Sequence, residues 1–320
     1  MRKIVLLALV ALLLFSVSAF AGGGRDAGDG RPRVAISLLP ITNDWHAAVR
    51  EYVTEAMARY PHIDWNPVWA TSNAHQVDVL QQMMVGGYDA VIIIPSDGVL
   101  VTPIAEAIYA TGTRTIIVNR PLLPGARYTA MVTGDNHGGG VNAARLLGQR
   151  LGPGNHDVGI LRFGVGHPID EERLRGFAGT MAAEFPNIRM VGQIEGGFNR
   201  STGLTAMETF LVAHPHLDAM FTMDDEAALG AITAVRAAGR TEIQYMTGFG
   251  GALEAYHLLA ANDPMFIGSM TYFPRMIIDA VEMTVRILRG DPFPRDTFIT
   301  SYAVTSDNVQ RFMPYAIRSF

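Results

Sequence analysis

From Arg33 onward, short runs of β-branched and apolar residues alternate with stretches of helical period, which restricts the chain to an α/β fold built on buried parallel strands. Arg33 to Leu38 reads as the first strand and Asp44 to about Tyr60 as the helix after it. Ala90 to Ile94 and Thr115 to Val118 are further strands, and helical segments at Gln76 to Val85 and Val99 to Ala110 fill the gaps. Repeated βα units imply right-handed crossovers. A second series begins after Gly134, with strands near Val158 to Arg162, Met190 to Ile194, Ala219 to Thr222, Ile243 to Thr247 and Phe266 to Ser269. The break at Thr133-Gly134-Asp135 separates two halves of similar grammar, so two doubly wound parallel-sheet lobes are expected rather than one large sheet.

Ahead of this series, Arg2 and Lys3 precede an apolar run from Ile4 to Phe15, and Ala19-Phe20-Ala21 presents small residues where a signal peptidase reads. The expectation is a signal peptide over residues 1–21, cleaved after Ala21, and a flexible leader over 22–32. A retained membrane anchor is the alternative, with Ile4 to Phe20 at the short edge of a spanning helix. The chain has no cysteine, so no lipidated cysteine follows the signal and no disulfide staples the fold. Localisation in a periplasm fits these features best.

Loss of residues 1–21 removes Arg2 and Lys3 and no acid. That takes the 25 basic residues to 23 against 30 acidic ones, a net charge of −7, which argues against a nucleic-acid surface. Lys3 is the only lysine in the chain. A P-loop needs a lysine on its phosphates, and Schiff-base chemistry needs an amine, so both classes drop out.

In open parallel sheets ligands bind beyond the carboxyl ends of the strands. Those places hold Asn43-Asp44-Trp45-His46, Pro95-Ser96-Asp97-Gly98 and Asn119-Arg120-Pro121 in the first half. In the second they hold Arg173 with Gly176-Phe177, Phe198-Asn199-Arg200, Met223-Asp224-Asp225-Glu226, Gly248-Phe249-Gly250 and Thr271-Tyr272-Phe273-Pro274. A carbohydrate wants this mixture, because its C–H faces pack on aromatic rings while its hydroxyls pair with carboxylates, amides and guanidinium groups. An amino acid is also compatible, with Arg120 and Arg173 clamping its carboxylate and Asp224 its ammonium.

The order of Asp89-Ala90-Val91-Ile92-Ile93-Ile94-Pro95, Gly134-Asp135-Asn136, Arg173 with Gly176-Phe177, Ala213-His214-Pro215, and Asp224-Asp225-Glu226-Ala227-Ala228-Leu229-Gly230-Ala231 followed by Gly248-Phe249 resembles the type I periplasmic binding proteins, in particular their ribose-binding-like sugar receptors. The resemblance covers nearly the whole chain after the signal. It implies two α/β lobes joined by a three-segment hinge, closing on a sugar that is then delivered to the permease of an ABC transporter. It implies a monomer without cofactor or metal. Transferred position by position, the ligand-binding residues are Asn43, Trp45, His46, Asn119, Arg120, Asn136, Arg173, Phe198, Asp224, Phe249 and Tyr272. His46 departs from the family's paired aromatics, Asn119 stands where an aspartate is usual, and Tyr272 replaces a glutamine. Gly250 replaces a carboxylate, for which Asp224 is the candidate substitute. These departures place ribose itself in doubt.

The lobes are expected to interleave, with residues 33–133 plus 273–300 in one, 135–271 plus 302–320 in the other, and crossings near Gly134, Tyr272 and Thr300. Asp224 precedes a helix and is equally a candidate N-cap. Asp97 reads as turn and helix-start chemistry, and Arg200 as solvent-facing or paired. His137-Gly138-Gly139-Gly140 lacks a dinucleotide fingerprint, and His214-Pro215-His216 is a loop rather than a metal pair. Two other function classes remain: a receptor reporting a sugar or autoinducer-like furanose to a membrane sensor, and an exported glycoside-acting enzyme using Asp170 or Glu172. No GxSxG elbow is present.

Overall fold

The structure is a computed structural model and describes residues 30–318. The expected signal peptide, most of the leader and the last two residues lie outside the described residues.

In the first half β1 (Arg33–Leu38), α1 (Asp44–Ala58), β2 (Asp64–Trp69), α2 (Asn73–Val85), β3 (Ala90–Ile93), α3 (Gly98–Ala110), β4 (Arg114–Val118) and β5 (Ala130–Gly134) follow one another. The second half continues with α4 (Asn136–Leu151), β6 (His156–Arg162), α5 (Pro168–Glu184), β7 (Ile188–Glu195), α6 (Arg200–Ala213), β8 (Ala219–Thr222), α7 (Asp225–Ala237), β9 (Tyr245–Gly250), α8 (Leu253–Ala260) and β10 (Phe266–Thr271). Then come α9 (Met276–Arg289), β11 (Asp296–Ile299), β12 (Ala303–Val304) and α10 (Val309–Phe312).

Two six-stranded sheets result, ordered β11-β5-β4-β3-β1-β2 and β12-β10-β9-β8-β6-β7. Every strand pair is parallel except β10 with β12. The central strands carry no exposed face: β3 and β5 are buried along their whole length, and Ile92, Ile116 and Ile160 sit in the core. Apolar layers lie on both faces of the first sheet, one around Ile36 and Ile92 and the other around Val91, Ile93 and Leu80. This two-sided burial explains why the strands read as continuous apolar runs.

The chain passes between the sheets three times, after β5, after β10 and after β11. The crossings are hydrogen-bonded to each other: the Asp135 amide donates to the Ile299 carbonyl (2.9 Å), the Thr271 amide to the Tyr302 carbonyl (2.9 Å), and the Ser301 hydroxyl to the Thr271 carbonyl (2.9 Å).

Several strands differ from expectation: β5, β11 and β12, like β2, are not among those read from the sequence, and β9 is shifted. β2 escaped the sequence pattern because it is an edge strand, with Asp64, Asn66 and Pro67 breaking any apolar alternation. β9 runs from Tyr245 to Gly250 rather than from Ile243 to Thr247. Its Gly248-Phe249-Gly250 end pairs with Ser269-Met270-Thr271 although it contains two glycines, a composition that hides a strand.

Candidate functional site

Each sheet reverses its winding between the first and third strands of its series, β1 with β3 and β6 with β8. Crevices form at such points beyond the carboxyl ends of the strands. Here the two crevices meet, and a cavity of about 430 Å³, counting the part open to solvent, lies between them. It is lined by Asn43, Trp45, His46, Asn119 and Arg120 from the first lobe, by Phe163, Ile169, Arg173, Asp224, Phe249 and Gly250 from the second, and by Tyr272 from a crossing segment.

On the first lobe, Asn43 caps α1, its side-chain oxygen accepting from the His46 amide (2.9 Å). That cap sets Trp45 and His46 in the first helical turn, facing inward. The Trp45 indole donates to the Tyr272 carbonyl (2.8 Å), tying α1 to the crossing. His46 is buried, and burial together with the Arg120 charge pulls its pKa down to about 3, so the ring is neutral. Asn119 adopts a left-handed conformation (φ 68°), which asparagine tolerates better than most side chains. Arg120 donates to the Ser96 carbonyl.

On the second lobe, Arg173 is almost fully buried in α5. Its Nε donates to Oδ1 of Asn136 (3.1 Å) and its Nη1 to the Met223 carbonyl (2.5 Å). Its guanidinium lies 3.7 Å above the Phe249 ring and 4.7 Å from the Tyr272 ring. Burial lowers its pKa to about 10, which leaves it charged at neutral pH. The α4–α5 contact that places it is close: a Cβ on Gly140 would come within 2.2 Å of the Arg173 carbonyl oxygen, so glycine is required there.

The N-cap role weighed for Asp224 from sequence is seen in the structure. Asp224 lines the cavity, and its Oδ1 caps α7 by accepting from the Glu226 (2.8 Å) and Ala227 (3.2 Å) amides. Burial, then the neighbouring Asp225, raises its pKa to about 7. Asp225 points away, its Oδ2 accepting from the Gly251 and Ala252 amides and the Ser269 hydroxyl. Gly250 has φ 137°, a conformation strained for any side chain, so the carboxylate expected by resemblance has no place in this backbone.

Nine of the eleven residues expected from sequence line this cavity. Asn136 does not; it stands behind Arg173 and donates to the Gly134 carbonyl (3.2 Å). Phe198 does not either; it packs against Phe163 with the rings tilted by 37° (5.4 Å) and lines an adjoining pocket of about 360 Å³ that shares Trp45, Asp224 and Phe249. Phe163, Ile169 and Gly250 were missed as lining residues. Phe163 directly follows β6, so the rule that located Asn119 applies to it as well; Ile169 carries no polar or aromatic signal.

Asp170, weighed as a catalytic acid, is fully committed: Oδ1 accepts from the Phe163 and Gly164 amides and Oδ2 from Arg162 (2.5 Å). Asp97 caps α3, and Arg200 pairs with Glu226 and Glu254. Among the described residues, no cluster of three or more His, Asp or Glu side chains is arranged to hold a metal, and no helix is long and apolar enough to cross a membrane.

The ribose import binding protein RbsB of Bacillus subtilis is 30% identical over 214 residues, covering 67% of this chain and 66% of that protein. The Escherichia coli protein of the same name is 24% identical over 295 residues, covering 91% and 94%. A crystal structure of an ABC transporter periplasmic solute binding protein from Actinobacillus succinogenes with bound D-allose superposes with a TM-score of 0.78 at 22% identity, over 88% of this chain and all of that one. Residues 34–292 match the family model described as a periplasmic binding protein domain, and with two parallel-sheet lobes around one crevice the chain belongs to that family.

Proposed function

We propose that this protein is a periplasmic solute receptor that captures a sugar or sugar-like small molecule between its lobes and delivers it to an ABC-type membrane importer. The observation that carries this reading is the composition of the interlobe cavity: Trp45 and Phe163 offer aromatic rings, and Asn43, Asn119, Arg120, Arg173 and Asp224 offer planar or forked polar groups. Aromatic faces pair with sugar C–H faces and the polar groups with hydroxyls. The names of the relatives, ribose import binding proteins, support the same class.

Mechanistically the protein binds without chemistry. The lobes, residues 33–133 plus 273–300 and 135–271 plus 302–320, move as units about the three crossings. A ligand touching both lobes favours the closed state over the open one, the hinge closure for which periplasmic binding proteins are a standing example. Asn136 and Phe198 act indirectly, the first holding Arg173 and the second backing Phe163. Residues 1–21 direct export, and the exported protein acts as a monomer without cofactor.

A thermal-shift screen of refolded, ligand-free protein against pentoses, hexoses, polyols, furanoses and amino acids tests the assignment. A ligand at a hundredfold excess over its dissociation constant stabilises by about 2.7 kcal/mol. Stabilisation by one sugar class, lost in Arg173→Ala, is the expected result; shifts with amino acids alone would refute it. Pull-down from membranes should return a permease, and recovery of a sensor instead would reassign the partner.

A further inference from the structure

We infer that the cleft is built for an anionic ligand, a sugar or polyol carrying one carboxylate of the aldonate or uronate type, held between Arg120 of one lobe and Arg173 of the other. This rests on the sugar-receptor reading above and narrows it.

Several other arginines in the fold pair with carboxylates. Arg162 is buried with Asp170 and also pairs with the exposed Glu171, Arg145 pairs with Glu184, and Arg200 with Glu226 and Glu254. The two cavity arginines have no carboxylate within 4.0 Å among the described residues. Arg173 meets a side-chain amide, a backbone carbonyl and aromatic faces, all neutral. Arg120 donates from Nη1 to a backbone carbonyl, and its Nε is buried with no acceptor at all. Buried charges are ordinarily paired, since taking an ion out of water without a partner is costly. Two guanidinium groups without counter-ions, on opposite walls of one cavity, leave a deficit of negative charge that a ligand can fill.

The surrounding acids act on it only from a distance, Asp224, Asp170 and Asp225 on Arg173 and Asp97 on Arg120, none of them forming an ion pair with either. Among the described residues Asp224 is the only carboxylate lining the cavity, and its Oδ1 is committed to the α7 cap. With a pKa near 7, it holds only part of a negative charge at neutral pH. Asp97 is engaged by the Leu100 amide, Asp225 by two amides and Ser269, and Asp170 by Arg162. His46 and His167, whose pKa values fall to about 3 and about 4, add no positive charge.

Planar carboxylates match the guanidinium fork through paired, charge-assisted hydrogen bonds. Because one arginine comes from each lobe, an acid group between them is neutralised from both sides only when the lobes are closed. It therefore supplies the difference in affinity between open and closed states that closure needs.

The test is calorimetric titration of refolded protein with matched pairs: glucose against glucuronate and gluconate, galactose against galacturonate, arabinose against arabinonate. For at least one pair the acid should bind about 10- to 100-fold more tightly, the range expected for hydrogen bonds to a charged group. Arg120→Gln should abolish that preference and Arg120→Lys should retain part of it, with circular dichroism confirming that both fold. A neutral sugar that binds as well as its acid, or a preference that survives Arg120→Gln, overturns the inference and leaves the sugar receptor standing. Tighter binding of glucose 6-phosphate than of glucuronate overturns the carboxylate assignment. Failure of every member of every pair to bind overturns the inference, while the sugar-receptor reading then stands or falls on the broader screen above.

Discussion

The Tyr272 hydroxyl donates to Oδ1 of Asn119 across 2.6 Å, joining a residue on an interlobe crossing to one in the first lobe's β4–β5 connection, 153 positions away in sequence. Both are buried, and both line the cavity. The bond therefore fixes the crossing to the wall that carries Arg120. Tyr272→Phe removes the donor and leaves a buried acceptor unsatisfied, so a loss of about 1–3 kcal/mol in unfolding free energy is expected by urea titration. Stability equal to that of the parent would mean the bond contributes nothing.

Trp45 is the aromatic wall of the first lobe and is anchored through its indole to the Tyr272 carbonyl. Trp45→Ala should weaken the identified sugar or sugar acid by about tenfold or more, since a ring contact and a ligand face are lost together. Isothermal calorimetry reads this directly. Unchanged affinity would move Trp45 out of the binding surface.

Asp224 predicts a pH effect of definite sign. Its folded pKa of about 7 exceeds the ordinary 3.8, so between those values the folded state holds more protons than the unfolded one, and stability falls as pH rises. His46 and His167 act in the opposite direction, losing stability as pH falls below 6.5 toward about 3 and 4, so the measurement must be a difference between parent and variant. Asp224→Asn retains a helix cap and cannot ionise. It should match the parent near pH 4 and exceed it by up to a few kcal/mol at pH 8, in paired denaturation curves. A constant difference across that range would show that Asp224 does not titrate as described.

Gly140 lets α4 and α5 approach until an added Cβ would lie 2.2 Å from the Arg173 carbonyl oxygen. Gly140→Ala must therefore push α5, and Arg173 with it, away from its place. Overpacking of this kind costs about 1–3 kcal/mol in stability. Ligand affinity should fall as well, while Gly179→Ala, on the same α5 with open space around it, should leave affinity unaltered. Equal effects of the two changes would dissociate helix approach from the site.

Much of this arrangement was legible because it follows from two simple regularities. Buried parallel strands produced apolar runs at residues 115–118 and Ala219–Thr222, and the residues just after the runs included Asn119, Arg120 and Asp224. Where a strand lies at an edge, as Asp64–Trp69 does, or ends in glycine, as β9 does, the pattern fades. At the site, type and position identified Arg173 but not what it touches; that its partners are an amide, a carbonyl and aromatic rings depends on helix packing no local pattern encodes. Ile169 has the character of any core residue, and only the meeting of the two crevices brings it to the cavity wall.

The pairing of β11 with β5, Asp296 beside Met131, has a consequence for the order in which the molecule can be completed. A polypeptide emerging amino-terminus first presents β1 to β5 early, but α9 and the strand that covers the β5 edge arrive only after the whole second sheet series has been made. The first lobe must wait, with an uncovered strand edge, for residues more than 160 positions downstream. Such distant pairing slows folding and prolongs exposure to misassembly, so the early half of the molecule is the part most in need of protection during its synthesis.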